Sequence, residues 1–269
     1  TGHPLVLADR RSTSYLKVAL TGQELDGSAQ RTGVNVAIVI DRSGSMSGQK
    51  IQQAREAAVL AVSRLSSRDI VSIVTYDHQV SVVVPATRLT DPASVIQRIR
   101  QVQTGGNTAL FAGVAKGADE VRKFRDPAWV NRVVLISDGL ANVGPSSPGT
   151  LGELGASLIR EGISVTTIGL GGDYNEDLMS QLARQSDGNH YFAERASDLR
   201  TVFSHEFGDL TSVIAKDLRI QIDCGEGVRP VRVLGRDAWI TGRRVTANLS
   251  QLYASQEKYV MLEIELPAR

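Results

Sequence analysis

Val36-Ala-Ile-Val-Ile-Asp-Arg-Ser-Gly-Ser-Met-Ser47 is an apolar run that breaks into oxygen-bearing side chains at alternate positions, Asp41, Ser43 and Ser45. An all-apolar run suits a strand buried on both faces, as in a parallel sheet with helices above and below. The chain beyond Asp41 is small, polar and tightly turned, and a helical pattern begins at about Gln49. Ligands of such sheets bind beyond the carboxyl ends of the strands. The stretch therefore sets hard oxygen donors where an α/β domain places its site.

From Val34 onward, strand and helix patterns alternate. Ile51, Ala54, Ala58, Ala61, Val62 and Leu65 share one helical face. Ile70–Thr75 is predicted as a buried strand, with Val80–Val84 hairpinned onto it and ended by Pro85. Asp91-Pro92 opens a helix with Val95, Ile99 and Val102 inside. Gln103-Thr-Gly-Gly-Asn107 leads into a helix carrying Leu110, Val114, Ala118 and Val121. Arg132–Ser137 is a predicted strand running into Asp138-Gly139, and Thr150 with Glu153 reads as a capping box. Ile163–Ile168 is a strand, Asn175 caps a helix, Asn189–Phe192 is a short strand, and Ser197 caps a last helix to about Leu210. This alternation implies an α/β fold with a doubly wound, mostly parallel sheet.

On either side the period is two. Leu5 and Leu7, then Leu16, Val18 and Leu20, alternate before the breaks at Thr21-Gly22 and Asp26-Gly27. After Thr211, Leu218, Ile220 and Ile222, then Val231 and Val233, Val245, Ala247 and Leu249, and Val260, Leu262, Ile264 and Leu266 each line a strand face. Gly225, Gly235 and Gly242 separate them, and Cys224 is expected on a buried face. The organisation predicted is an α/β domain at 33–210 inserted in a smaller β-sandwich of 1–32 plus 211–269.

Composition narrows the function. A formal net charge of +1 over 269 residues makes no electrostatic case for nucleic acid. No stretch approaches the roughly 18 apolar residues of a membrane span. Thr1-Gly-His-Pro4 lacks the pattern of a secretory leader, and a processed chain would read the same way. One cysteine excludes an internal disulfide or a multi-cysteine metal cage. A cell-surface or extracytoplasmic setting is expected over the cytoplasm.

Asp41, Ser43 and Ser45 are joined by Thr108, set after Gly105-Gly106, and by Asp138 at a strand end. Two carboxylates and three hydroxyls, without nitrogen or sulfur, suit a hard cation, magnesium first, with manganese fitting the same shell. If both carboxylates bound directly they would neutralise a divalent ion. If one or both bound through water, the ion would keep positive charge and seek an anionic oxygen from a partner. Enzymatic readings lack parts. Gly44-Ser-Met-Ser-Gly48 has methionine where a nucleophile elbow needs serine. Ser43 stands where an aspartyl phosphotransferase has its acid/base carboxylate. Gly169–Gly172 lacks the Gly-Lys-Ser/Thr of a P-loop. Arg42 and Met46 are read as spacers pointing away, and Asp77 as the cap of a strand end.

Asp41-Arg-Ser-Gly-Ser45, Thr108 and Ser137-Asp138-Gly139 resemble the metal-ion-dependent adhesion site of von Willebrand factor A domains. Gly105-Gly-Asn-Thr-Ala-Leu110, Thr167-Ile-Gly-Leu-Gly171 and Gly188-Asn-His-Tyr-Phe192 resemble segments of bacterial members. The resemblance spans roughly 33–210 and implies direct ligands at Ser43, Ser45 and often Thr108. Asp41 and Asp138 would then act mainly through water. The flanking strands resemble the β-sandwich of some bacterial members and of inter-alpha-trypsin-inhibitor heavy chains. The expected function is a non-enzymatic, Mg²⁺- or Mn²⁺-dependent module that ligates an Asp or Glu side chain of a protein partner. An intracellular adaptor for an AAA-type ATPase is the alternative, and a metal-dependent hydrolase or phosphotransferase the enzymatic third.

Overall fold

The structure, a computed structural model, describes residues 10–23, 32–138, 141–172, 174–234 and 238–268. The predicted strand around Leu5 and Leu7, the breaks at Asp26-Gly27 and Gly235, and Gly139 lie outside them. Two compact units are present: Arg31–Thr211, and Thr1–Gln30 with Ser212–Arg269.

After β1 (Ser12–Thr21), which belongs to the smaller unit, the larger unit opens with β2 (Val34–Asp41) and α1 (Gln49–Arg64). It continues through β3 (Ile70–Tyr76), β4 (Val80–Arg88), α2 (Pro92–Arg100), α3 (Leu110–Arg122) and β5 (Val130–Ser137). It ends with α4 (Pro148–Arg160), β6 (Ile163–Leu170), α5 (Glu176–Gln185), β7 (His190–Ala193) and α6 (Leu199–Thr211). The strands form one sheet in the order β4-β3-β2-β5-β6-β7, parallel except where β4 runs antiparallel to β3. Every residue of β2, β3, β5 and β6 is buried, which is why apolar residues dominate these strands without a strict alternation. From β2 the chain builds outward to β4, then returns to build β5, β6 and β7 on the other side. The strand order reverses between β2 and β5, and a crevice opens beyond such a switch point. Asp41 ends one of these strands and Asp138 follows the other.

Helix α3 lies close against the sheet because its inward face is small. A Cβ on Gly117 would stand 2.5 Å from Val39 Cγ2, and one on Gly113 2.5 Å from the Tyr76 ring. On α6, Glu206 reaches into the interior to Arg132 Nη1 of β5 at 2.9 Å, with both side chains wholly buried. Thr166 donates its hydroxyl to the same carboxylate at 2.6 Å, and Asn189 Nδ2 donates to the other oxygen at 2.9 Å. These bonds make the burial of two charges tolerable.

Local expectations differ from the structure at five places. Strand β4 runs on to Arg88, past Pro85, because it is the sheet edge and the register with β3 shifts between Val71 and Ile73. A missing N–H is tolerated at such an edge irregularity. The cap of α4 is Ser147, whose Oγ accepts the Thr150 N–H at 3.1 Å; Pro148 moves the helix start ahead of Thr150. Ser197 sits inside a 3₁₀ turn, Ala196–Asp198, that precedes α6, so it caps nothing there. Cys224 lies just past a strand end and is half-buried; burial pushes its thiol up from the ordinary value. The fifth is a short strand over Ala238–Thr241 that no sequence pattern announces. By contrast, Asp91 and Asn175 cap α2 and α5 as expected, through the Ser94 and Leu178 N–H groups.

The smaller unit adds β8 (Val213–Asp223), β9 (Arg229–Leu234), β10 (Ala238–Thr241), β11 (Arg244–Tyr253) and β12 (Glu257–Leu266). They pair antiparallel as two three-stranded sheets, β1-β12-β9 and β10-β11-β8. Ile220 and Leu249 of one sheet share an apolar core with Val260, Val18 and Val233 of the other, as in a sandwich. β10 carries one partly buried residue and three exposed ones, so it offers no alternating signal. No helix among the described residues is long and apolar enough to cross a membrane.

Replacing Glu206 by leucine would strand the Arg132 guanidinium without its counter-charge. Urea unfolding followed by circular dichroism is expected to show a loss of about 3–5 kcal/mol. A loss below about 1 kcal/mol would mean that the Thr166 hydroxyl, which accepts from Arg132 Nη1 at 2.7 Å, suffices for the arginine.

Candidate metal centre

Three loops converge beyond β2 and β5. The first leaves Asp41 and tightens into a 3₁₀ turn, Gly44–Met46, with Met46 fully buried as its anchor. The second is stitched to it: Gly105 N–H donates to Arg42 O at 2.7 Å, and Gly44 N–H donates to Gly106 O at 3.0 Å. Gly106 has a φ of +67°, and a Cβ there would lie 2.1 Å from His78 Nδ1, so only glycine fits. The third loop grips the second through Thr108, whose N–H donates to Asn142 Oδ1 at 2.9 Å. Thr108 O in turn accepts the Asn142 and Val143 N–H groups.

Arg42 points away from the cluster, as expected of a spacer, and pairs with Asp77 at 2.8 Å. Asp77 also accepts the Gln79 N–H at 2.7 Å, which closes the strand end as its sequence suggested. Through its carbonyl, which takes the Ala109 N–H at 2.7 Å, it positions the start of α3 as well.

Asp41, fully buried, accepts the Ser43 N–H at 2.8 Å on one oxygen and the Ser137 hydroxyl at 2.6 Å on the other. Tyr76 Oη lies 3.4 Å from the second oxygen. Burial raises the Asp41 carboxyl above its ordinary value; the hydrogen bonds from Ser137 and Ser43 oppose this, and the Asp138 charge adds to it. Burial, then the Asp41 charge, holds the Tyr76 phenol well above its usual range, so it remains a neutral donor. Ser43 Oγ and Ser45 Oγ are 3.0 Å apart, and Ser45 Oγ donates to Asp138 Oδ1 at 2.8 Å. Lys50, in the first turn of α1, holds the other Asp138 oxygen.

Of the five candidate ligands, Ser43, Ser45 and Asp138 are linked in one hydrogen-bonded row. Asp41 joins it through the Ser43 N–H, and Thr108 is held beside it by backbone bonds to Asn142 and Val143. Sequence reading quoted Ser137 only within the Ser137-Asp138-Gly139 motif, without a role, and missed Tyr76, Asn142 and Lys50. A serine directly before Asp138 was the available signal for Ser137, and a lysine where a helix start favours acids was the signal for Lys50.

Among the described residues no group of three or more His, Cys, Asp and Glu side chains converges. A metal centre here would depend on hydroxyls as much as carboxylates. The row fits that demand. Adjacent corners of an octahedron with magnesium–oxygen bonds of 2.0–2.1 Å lie about 2.9 Å apart, close to the 3.0 Å between Ser43 Oγ and Ser45 Oγ.

The family model for the von Willebrand factor type A domain matches residues 35–205, the segment that carries this crevice. The chain belongs to the von Willebrand factor type A family. It is 29 % identical over 264 residues to the Arabidopsis thaliana protein named E3 ubiquitin-protein ligase WAV3, covering 92 % of this chain and 33 % of that one. It is 29 % identical over 169 residues to inter-alpha-trypsin inhibitor heavy chain H3 of Rattus norvegicus, covering 60 % of this chain and 19 % of that one. The chain spans about half or less of the length of the curated relatives it matches. A solved von Willebrand factor type A structure from Catenulispora acidiphila superposes with a TM-score of 0.77 at 16 % identity, over 98 % of this chain and 63 % of that one. Von Willebrand A domains are in general protein-interaction modules rather than enzymes.

The raised Asp41 carboxyl has a testable sign. Its protonated form is favoured in the folded state, so its contribution to stability is present at low pH and is lost as pH rises through the folded value. At neutral pH the buried charge weighs against folding. Metal-free Asp41→Asn is therefore expected to unfold at a higher urea midpoint than the parent at pH 7. The gap should close as pH falls toward the ordinary value of 3.8. A lower midpoint for the variant at pH 7 would contradict the burial argument.

Proposed function

We propose that this von Willebrand A domain is a divalent-cation-dependent protein-binding module whose bound Mg²⁺ or Mn²⁺ captures an Asp or Glu carboxylate of a partner. The observation that carries the reading is the row Ser43–Ser45–Asp138 at octahedral edge spacing, beside a carboxylate already stripped of water. Ser43, Ser45 and Thr108 would hold the ion directly, with Asp41 and Asp138 behind them through water. When bound, the ion supplies concentrated positive charge at the mouth of the crevice.

The protein's own groups do the positioning. Ser137 and the Ser43 N–H fix the orientation of the Asp41 carboxylate. The Arg42–Gly106 backbone ladder holds the loop bearing the two serines against the loop bearing Thr108. The Asn142 clasp keeps Thr108 from moving independently of the Asp138 loop. The carboxylate that accepts the Ser45 hydroxyl, Asp138, is already paired with the Lys50 ammonium, which makes it a weak proton acceptor and supports a module that binds a carboxylate without transforming it.

Calorimetric titration is expected to show one Mg²⁺ or Mn²⁺ site per chain. Asp41→Ala, which removes a carboxylate held behind water, should weaken it by about ten- to a hundredfold, and Thr108→Ala, which removes a direct ligand, by at least about as much. Absence of heat with either ion, under conditions where the protein is folded, would sink the proposal.

A further inference from the structure

Among the described residues at the crevice, Lys50 is a charged group that the metal-binding reading leaves without a task. Its ammonium lies on Asp138 Oδ2, while Oδ1 of the same carboxylate takes the Ser45 hydroxyl. The two oxygens are thus divided, one facing the serine row and one facing the lysine. The Asp138 side chain is wholly buried, and that of Lys50 is only about one-third exposed. Its head is further confined by the loop after β6, where a Cβ on Gly171 would be 3.9 Å from Nζ.

The position is unfavourable for the helix on its own account. The first turn of α1 has no acidic residue, and Lys50 puts a cation at the positive end of the helix dipole. Asp138 compensates the ammonium there. The other cation of the first loop, Arg42, is taken up by Asp77 and adds nothing to the crevice.

We infer that Lys50 is a built-in counter-charge that cancels Asp138 and so leaves a divalent ion in the crevice under-neutralised, which makes an external carboxylate necessary to complete it. The inference rests on the metal-binding function proposed above. Held behind water, Asp41 and Asp138 leave the ion part of its positive charge, but their two charges together would still formally balance it and weaken its preference for an anionic last ligand. With the Lys50 ammonium included, the fixed charges of the site sum to one negative. The bound ion then retains one positive charge, which an acidic side chain satisfies and a neutral one does not. Lys50 acts through Asp138, as a positioning and charge-setting residue, and at some cost in metal affinity.

Removing the lysine charge should have two effects of opposite sign. Lys50→Met is expected to bind Mn²⁺ about tenfold more tightly than the parent by calorimetry, because a like charge near the ion is gone. Acetate, as the carboxylate probe, should bind the Mn²⁺-loaded variant about threefold or more weakly, read from the loss of water-proton relaxation enhancement as it displaces metal-bound water. Lys50→Arg, which keeps the charge, should match the parent in both measurements, and Lys50→Gln should follow Lys50→Met. Circular dichroism and thermal melting select the variants that fold, and either neutral replacement suffices. Unchanged or weaker Mn²⁺ binding by a folded neutral variant, or unchanged acetate binding, would overturn the charge assignment while leaving the metal site intact. Failure of the parent itself to bind Mn²⁺ would overturn the site, and the role of Lys50 with it.

Discussion

Asp41 ends a strand with no solvent-exposed residue, so its carboxylate is dehydrated before any ligand arrives. Much of the architecture above the sheet answers that constraint. Ser137 is the last residue of the neighbouring strand, and its hydroxyl meets the carboxylate because β2 and β5 pair in parallel with their ends level. The Ser43 N–H turns back to the other oxygen, and this bends the first loop toward the crevice. Tyr76 brings its phenol from the strand on the opposite side, in space that Gly113 of α3 leaves open. A buried anion surrounded by donors on both flanks is electrostatically incomplete, and that imbalance is the physical basis of the cation-binding role proposed for it.

Parallel pairing also decides where the remaining oxygens fall. Since β2 and β5 flank the point where strand order reverses, the segments that leave them diverge and the crevice opens between them. Ser43 and Ser45 stand on one bank, Asp138 on the other, and the Ser45–Asp138 hydrogen bond spans the gap. Thr108 enters from above α3, and the small residues of that helix keep it close to the sheet. The same fold elsewhere buries a complete ion pair, Arg132–Glu206, whose carboxylate is bonded on both oxygens. One set of charges closes in on itself, and the other is left with unused acceptor capacity.

The parts legible in the sequence were those where a single physical demand dominated. Strands buried on both faces are dominated by apolar residues, so β2, β3, β5 and β6 stood out, and their ends located Asp41 and Asp138. Caps at Asp91 and Asn175 were readable because one side chain serves one N–H. The reading failed where two demands competed. At Pro85 the proline rule for strands gave way to an edge irregularity, and at Thr150 an apparent capping box gave way to Ser147-Pro148 one turn earlier. β10 was invisible because an edge strand with three exposed residues has no face to alternate. Within the site, the candidate oxygen donors were visible from spacing, but the supporting roles of Ser137, Asn142 and Lys50 were not. Their roles are defined by partners 96, 34 and 88 residues away in the chain, and no local pattern encodes such pairings.

The backbone ladder between Arg42–Gly44 and Gly105–Gly106, with the Asn142 clasp on Thr108, joins the three loops into one frame. That has a bearing on transplantation. Moving Asp41–Ser45 alone onto another α/β sheet would carry three of the oxygens but leave Arg42 O and Gly44 N–H facing solvent, and the serines would lose their spacing. A working graft would need the glycine pair and the Asn142 segment as well, taken together with the strand order that brings them side by side. The transferable unit is therefore a set of loops distant in sequence, and a chimera designed from the linear motif would reproduce its composition without its geometry.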